Sequence, residues 1–434
     1  MRLNYGKTFL LGFGFFGVSV IWGVYNAFVP VFLAQKFGLA PAVIGFFMTL
    51  DNIAALLIQP PIGAFSDRLR TPIGRRMPFI LVGAPLGALV FGLIPLAAVL
   101  PLFVACTSTL LLSMALWRTP VVALMPDITP SQFRSQANGI INFMGGLGAI
   151  ISFLVGASLY EANPAYPFWM GSALVIASAL LVFFLIKEPT EYAAAEAQPG
   201  MLASLREVLA DSDRSALRVL LAIFFWFLGY SAIEAFFNLY AINHLGLSEA
   251  NGARLLGQLS LIFVIFALPA GYIGAALGRR ITIVLGITLM SLVMLAIFFL
   301  PAATLITPLA PLPAVGAKLT EDGPSLLLVI GALLMAAGAA WALININSLP
   351  MVVDMTEPTR IGTYTGLYYL FSTLSAIVGP NANGWIIQLT GNNYNAVMIV
   401  APVFMGLALL MMWGVRRGRH GVTNADRPAR RAWT

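Results

Sequence analysis

Three side chains stand where ionisable groups are rare. Asp51, Arg118 and Glu234 each fall within a long apolar run. A charge near the middle of a bilayer costs about 2.5–3.5 kcal/mol on insertion scales. Each therefore needs a partner or a water-filled chamber. A carboxylate there can take up and release a proton, and an arginine can pair with it or hold an oxygen-rich solute. For Asp51 three readings stand side by side: a proton-binding group, a partner of Arg118, or a packing bond to Asn52 and a neighbouring helix. Asp51 also shares a helix face with Gln59, eight residues on.

The elements that must carry these residues follow from composition. Of 434 residues, 59% are hydrophobic and 9% charged, against about 25% charged in a soluble domain. The mean hydropathy is +0.90. That is too little polar surface for a soluble enzyme, a nucleic-acid-binding domain or a disordered chain. The apolar runs are continuous rather than alternating, which excludes a transmembrane β-barrel. The net charge of +7 reads as basic loops on one side of a membrane, not as a nucleic-acid surface. One cysteine, Cys106, permits no intrachain disulfide, and with two histidines a structural zinc site is not expected. Arg2 and Lys7 precede an apolar run resembling a signal peptide. That run continues to about Leu33 without a small-residue cleavage site, so a retained first helix is expected.

Cutting at charged and turn-rich stretches predicts twelve spans: 9–33, 42–66, 78–98, 101–125, 138–159, 167–187, 219–242, 252–275, 282–302, 326–350, 362–387 and 396–415. With the N-terminus cytoplasmic, every Lys and Arg falls on the cytoplasmic side except Lys36, Arg254 and Lys318 outside and Arg118 within a span. The expected division is an N-terminal six-helix bundle over 1–187, a charged linker over 188–218, a C-terminal bundle over 219–415 and a basic tail over 416–434. A second long connection, 303–325, is proline-rich and lies outside.

The halves repeat in parallel. Asp127, Thr129 and Gly139 recur at one common offset as Asp354, Thr356 and Gly366; Trp117 and Trp341 precede them, and Arg134 and Arg360 follow. Gly74-Arg75-Arg76 corresponds to Gly278-Arg279-Arg280. Parallel repeats imply two bundles about a pseudo-twofold axis along the membrane normal. The offset relating Gly63 to Gly271 pairs Asn26 with Glu234, and that relating Asp127 to Asp354 pairs Arg118 with Asn345. Spans one, four, seven and ten thus each bring a polar residue to a matching position, which predicts an axial polar chamber. Trp22, Tyr25, Trp226, Tyr230, Trp341 and Asn347 lie near these positions. Aromatic rings and amides suit a sugar, whose C–H faces stack and whose hydroxyls bond the amides; simple helix packing is the competing account of each aromatic.

The loop after span two reads Gly63-Ala-Phe-Ser-Asp67-Arg68-Leu-Arg70-Thr-Pro-Ile-Gly74-Arg75-Arg76, followed by Met77-Pro78-Phe79-Ile80 and preceded by Gln59-Pro60. It resembles the signature loop of the major facilitator superfamily. In its extended form it resembles sucrose/proton symporters and their bacterial relatives, which are related to the glycoside–pentoside–hexuronide cation symporters. The run from Arg118 to Asp127 and Gln136-Ala-Asn138-Gly139 fit the same relatives. The resemblance implies an all-α membrane fold of twelve helices in two bundles, alternating access, and uptake of a sugar with a proton as coupling ion and no other cofactor. It implies that Gly63, Asp67, Arg68, Gly74, Arg75 and Arg76, with Asp127, Arg134, Asp354 and Arg360, latch the cytoplasmic ends of the two halves. It also implies a part in binding or coupling for Arg118. Two departures matter. Melibiose-type symporters carry acids where this chain has Ala55 and Gln59, which favours protons over sodium. The span-four arginine of plant sucrose symporters lies nearer the loop aspartate, so sucrose itself is not carried over.

The leading expectation is a proton-coupled sugar importer of the bacterial inner membrane, monomeric, with both termini cytoplasmic. Its substrate contacts are Asn26, Asp51, Arg118, Glu234, Asn345, Trp341, Tyr25 and Tyr230. A proton-driven exporter of small amphipathic compounds on the same fold is the alternative. A membrane enzyme or nutrient sensor is disfavoured, because no His cluster, Ser–His pair or phosphate-cradling loop appears.

Overall fold

The computed structural model describes residues 5–129, 133–188, 214–313, 315–320, 322–356 and 360–415, with 205, 206 and 208. The tail after 415 and most of the linker lie outside the described residues.

Apolar runs become helices because every backbone N–H and C=O in hydrocarbon must be bonded within its own segment. The first half holds α1 (Tyr5–Val31), α2 (Pro41–Phe47), α3 (Leu50–Arg68), α4 (Met77–Leu93), α5 (Leu100–Ile128), α6 (Arg134–Ala162) and α7 (Tyr166–Leu185). The second half holds α8 (Ser215–Asn243), α9 (Glu249–Leu277), α10 (Arg279–Phe299), the short α11 (Ala302–Leu305), α12 (Val329–Val353), α13 (Ile361–Leu389) and α14 (Ala396–Trp413). Eleven spans, α2 and α3 together forming one, are long and apolar enough to cross a membrane among the described residues. The remaining long helix, α13, is diluted by Tyr, Ser, Thr and Asn but runs 29 residues.

Prolines and glycines set the boundaries. Prolines open α2, α4, α5 and α7 in their first turn, where no amide donor is required. Gly278 has φ +89°, so α9 reverses into α10 through a conformation that a side chain would strain. Arg280 closes the far end of α14, donating to the carbonyls of Met412 at 3.1 and 3.0 Å and Trp413 at 3.1 Å. Those carbonyls have no donor within their own helix.

Within the first half, α1 packs on α6 and α7, α4 on α5 and α7, and α3 on α5. Within the second, α9 and α10 pack on α12, and α13 and α14 on α8. The halves meet along α6–α9, α2–α13, α1–α8 and α3–α13. The connection 303–325 is not a plain loop. It carries β1 (Pro308–Pro311), β2 (Ala317–Lys318) and β3 (Ser325–Leu328), an antiparallel sheet in the order β1-β3-β2. Its edge is tied to α9, where Gln258 donates to the Val315 carbonyl at 2.6 Å.

The cross-half contacts gather at the face opposite the chain termini. There Gly45 lies against the Pro380 carbonyl, Gly384 against that of Pro41, and Gly257 against Leu154. Glycine lets backbones approach where no hydrophobic force draws helices together. At the terminal face, Gly139 and Gly366 are exposed with nothing beside them. Among the described residues, the bundle is closed at the opposite face and open toward the termini.

Candidate functional site: a polar cavity between the halves

A cavity of about 230 Å³ is lined by Trp22 and Asn26 of α1, Asp51, Asn52, Ala54, Ala55 and Gln59 of α3, Leu111, Met114, Ala115 and Arg118 of α5, and Glu234 of α8. The three ionisable residues of the apolar runs thus share one chamber. Among the described residues, Glu234 alone lines it from the second half. Asn26 donates from Nδ2 to Glu234 Oε1 at 3.3 Å. These are the two residues that the repeat pairs at an offset of 208. Symmetry-related residues can touch only beside the axis that relates them, so the bond marks where the pseudo-twofold runs.

Asp51 takes a bond from Asn52 Nδ2 at 2.8 Å. Among the described residues it makes no ion pair with Arg118, although Asp51, Arg118 and Glu234 line the same cavity. The chamber therefore holds two carboxylates and one guanidinium with room between them. Such a set binds protons, cations or hydroxyl-bearing solutes; it offers no nucleophile–base pair for covalent chemistry.

Other expected contacts lie outside the lining. Tyr230 stacks on Trp341 with ring centroids 3.8 Å apart and planes 2° apart, and Phe227 covers Trp341 edge-on at 5.3 Å. Trp341 is 4% exposed, so these rings cover each other. Tyr25 is buried against Trp22. Trp226 is core. Asn347 donates to the Ala270 carbonyl at 3.0 Å and packs on Gly274. Asn345 offers its carbonyl to Ser348 Oγ at 2.8 Å, and the chamber has no second-half counterpart of Arg118. Asn52, Gln59 and Trp22 are the polar and aromatic lining residues beyond the expected contacts; their polarity or bulk within span one or two is the signal that marks them.

In this arrangement, open at the terminal face, the loop motif is paired within the first half. Arg76 bridges Asp67 and, at 3.1 Å, Asp127. Arg75 reaches Asp127 at 2.8 Å and Asp67 at 3.9 Å. The Arg76 amide donates to Glu188 at 2.9 Å. Gly74, with φ +108°, leaves space for that carboxylate, and a Cβ at Gly63 would touch the Thr119 methyl. All these partners belong to the first half. These bonds tie α3, α4, α5 and the segment just after α7 into one body. In the second half, Asp354 pairs with Arg279. Arg68 is exposed and makes no ion pair among the described residues. Arg360 is exposed before α13, and the Arg134 side chain lies outside the described residues.

An ion pair does join the halves, at the opposite face. Arg254 of α9, 3% exposed, donates to Glu161 of α6 at 2.6 and 2.8 Å. It also reaches Ser158 and Asn251 at 3.3 and 3.2 Å. Lys318 of β2 adds a contact to Glu161 at 3.5 Å. Arg254 and Lys318 are two of the three cations that the charge count leaves outside, and no role followed from that count.

Comparison with known proteins agrees with this architecture. The sequence profile described as "Major Facilitator Superfamily" matches residues 11–316 and 259–434. The chain is 30% identical over 172 residues to the nitrite extrusion protein of Bacillus subtilis (strain 168), covering 39% of this chain and 41% of that one. It is 26% identical over 269 residues to the putative nucleoside transporter YegT of Escherichia coli (strain K12), covering 60% and 61%. It is 32% identical over 84 residues to sucrose transport protein SUT1 of Oryza sativa subsp. japonica, covering 19% and 15%. These matches span between about one seventh and three fifths of the relatives' length. A bacterial homolog of the human lysosomal transporter Spinster, in an inward-facing and occupied conformation, superposes with TM-score 0.73 at 15% identity over 96% of this chain and 98% of that one. A mutant of the nucleoside transporter NupG superposes with TM-score 0.69 at 17% identity over 94% and 98%. With twelve spans, a repeated loop motif and a family profile spanning both halves, the chain belongs to the Major Facilitator Superfamily, a family of membrane transporters.

Proposed function

We propose that the chain imports a small hydroxyl-rich solute, a glycoside or nucleoside, together with a proton, by alternating access across a bacterial inner membrane. The observation that carries this reading is the meeting of Asp51, Arg118 and Glu234 around one cavity between the halves. With both carboxylates ionised the set holds one surplus negative charge. One proton neutralises it. A neutral set is cheaper than a charged one to enclose in a closed, water-poor intermediate. Asn26, Asn52 and Gln59 supply donors and acceptors for hydroxyls, and Trp22 an apolar face. Ala55 and Gln59, standing where melibiose-type symporters carry acids, favour a proton over a metal cation. The Lys and Arg distribution supports cytoplasmic termini, which makes the open terminal face the inward-facing one.

The test is uptake into proteoliposomes under an imposed pH gradient, with a panel of labelled glycosides and nucleosides. At least one is expected to accumulate when the outside is acid. Glu234→Gln is expected to abolish accumulation while exchange down the solute's own gradient survives. Accumulation that persists in both Glu234→Gln and Asp51→Asn refutes the carboxylate mechanism. The nitrite extrusion relative makes export the competing direction, and solute leaving against its gradient in the same vesicles would establish it.

A further inference from the structure

The second span is not one helix. It breaks at Met48–Thr49, where α2 stops and α3 begins. A break inside a span leaves carbonyls without their helical donors, and hydrocarbon supplies no water in their place. Here Thr49 closes the break itself, its N–H donating to the Phe46 carbonyl at 3.0 Å, and a residue of the other half holds the Thr49 hydroxyl. Asn381 of α13 donates from Nδ2 to Thr49 Oγ1 at 3.2 Å, and Thr49 Oγ1 donates to the Phe46 carbonyl at 2.7 Å. Thr49 is fully buried, and Asn381 is fixed by a bond to the Ile377 carbonyl at 2.8 Å. The same helix grips α2 through Gly45 and Gly384, and the Ala42 amide donates to Gln388 Oε1 at 3.3 Å. So α2 is docked on α13, whereas α3 packs chiefly on α5 of the first half and only secondarily on α13.

The break lies two residues before Asp51 and puts it in the first turn of α3. A helix N-terminus stabilises negative charge in that turn. In an unbroken helix the same residue would sit mid-helix, without those free amides. Arg118 from α5, Glu234 from α8 and Tyr25 from α1 face the carboxylate. We propose that Asn381 is a positioning residue for Asp51: by holding the Met48–Thr49 break, it makes the charge state of Asp51 depend on whether α13 is docked on α2. Opening the opposite face withdraws Asn381, lets the break relax and changes how Asp51 holds a proton. The proposal rests on the reading of Asp51 as a proton-binding group.

The test uses the full chain carrying Cys106→Ser, Tyr166→Cys and Leu389→Cys, spin-labelled in nanodiscs. Tyr166 and Leu389 are exposed at the opposite face, one on each half. The inter-label distance is followed through an acid-to-alkaline series. The parent distance is expected to move with pH. Asn381→Ala and Thr49→Val are each expected to abolish that response, and Thr49→Ser, which keeps the hydroxyl, to retain it. A full response in Asn381→Ala, or equal behaviour of Thr49→Ser and Thr49→Val, overturns the proposal. Should Asn381→Ala fail to fold, Thr49→Val alone decides. A response that survives Asp51→Asn overturns the Asp51 reading instead, and a parent without any response overturns both.

Discussion

The two ends of the bundle use the same kind of ion pair for different ends. At the terminal face, Asp67, Asp127, Arg75 and Arg76 are all residues of the first half, and Asp354 and Arg279 both belong to the second. At the opposite face, Arg254 of the second half pairs with Glu161 of the first. A pair inside one half survives any rigid-body movement of the halves. It stabilises that half as a unit and cannot bias the conformational equilibrium. A pair across the halves exists in one state only, and its free energy goes directly into the population of that state. Sequence motifs mark the first kind of pair; only geometry reveals the second.

Substitutions at the two faces should therefore separate folding stability from conformational bias. The largest effect is expected for Arg76→Ala. Arg76 is 4% exposed, and its loss leaves Asp127, 13% exposed, with Arg75 alone. Breaking a buried pair costs about 3–5 kcal/mol. Thermal unfolding in detergent should fall by several degrees, with cysteine accessibility at the opposite face unchanged. The reverse pattern would make the loop motif an inter-half latch after all.

Arg254→Ala comes next. Glu161 is 32% exposed, which lowers the expected cost to about 2–3 kcal/mol. Here the change should appear as a shift toward an open opposite face, on the order of 30-fold or more in population. Labelling of cysteines placed at that face reads it directly; unchanged labelling would show that the pair does not hold the halves. Gly45→Ala should act in the same direction more weakly, about 1–3 kcal/mol from overpacking against the Pro380 carbonyl. An unaltered label distance across α2 and α13 would contradict it. Asp354→Asn is expected to do least. Its pair with Arg279 has 53% and 36% of the side chains exposed, and such pairs contribute less than about 1 kcal/mol. A Tm loss comparable to that of Arg76→Ala would show that the second-half loop is not the weakened copy its exposure indicates.

Much of this was legible before any coordinates. Lipid offers the backbone no hydrogen bonds, so an apolar run of sufficient length has one outcome, and the spans follow from hydropathy alone. The axial chamber was legible through cost: Asp51, Arg118 and Glu234 are too expensive to face lipid, and the repeat offset placed Asn26 opposite Glu234. The aromatic wall was less legible, because a ring's type does not say whether a neighbouring ring already covers it, as Tyr230 covers Trp341. The β-sheet at 308–328 was hidden as well. Its strands are two to four residues long, too short for a period-two pattern to emerge among prolines.

What the sequence determined by itself is what each residue costs in lipid and how often the pattern repeats. That was enough for twelve helices, two related halves and a set of charges needing shelter. The tertiary structure decided which half supplies the partner for each charge. Asp67 met Arg76 within one half, whereas Arg254 met Glu161 and Asn381 met Thr49 across a gap that no spacing in the chain encodes. Contacts between bodies that move depend on their relative placement, and the cost of a residue in hydrocarbon does not fix that placement.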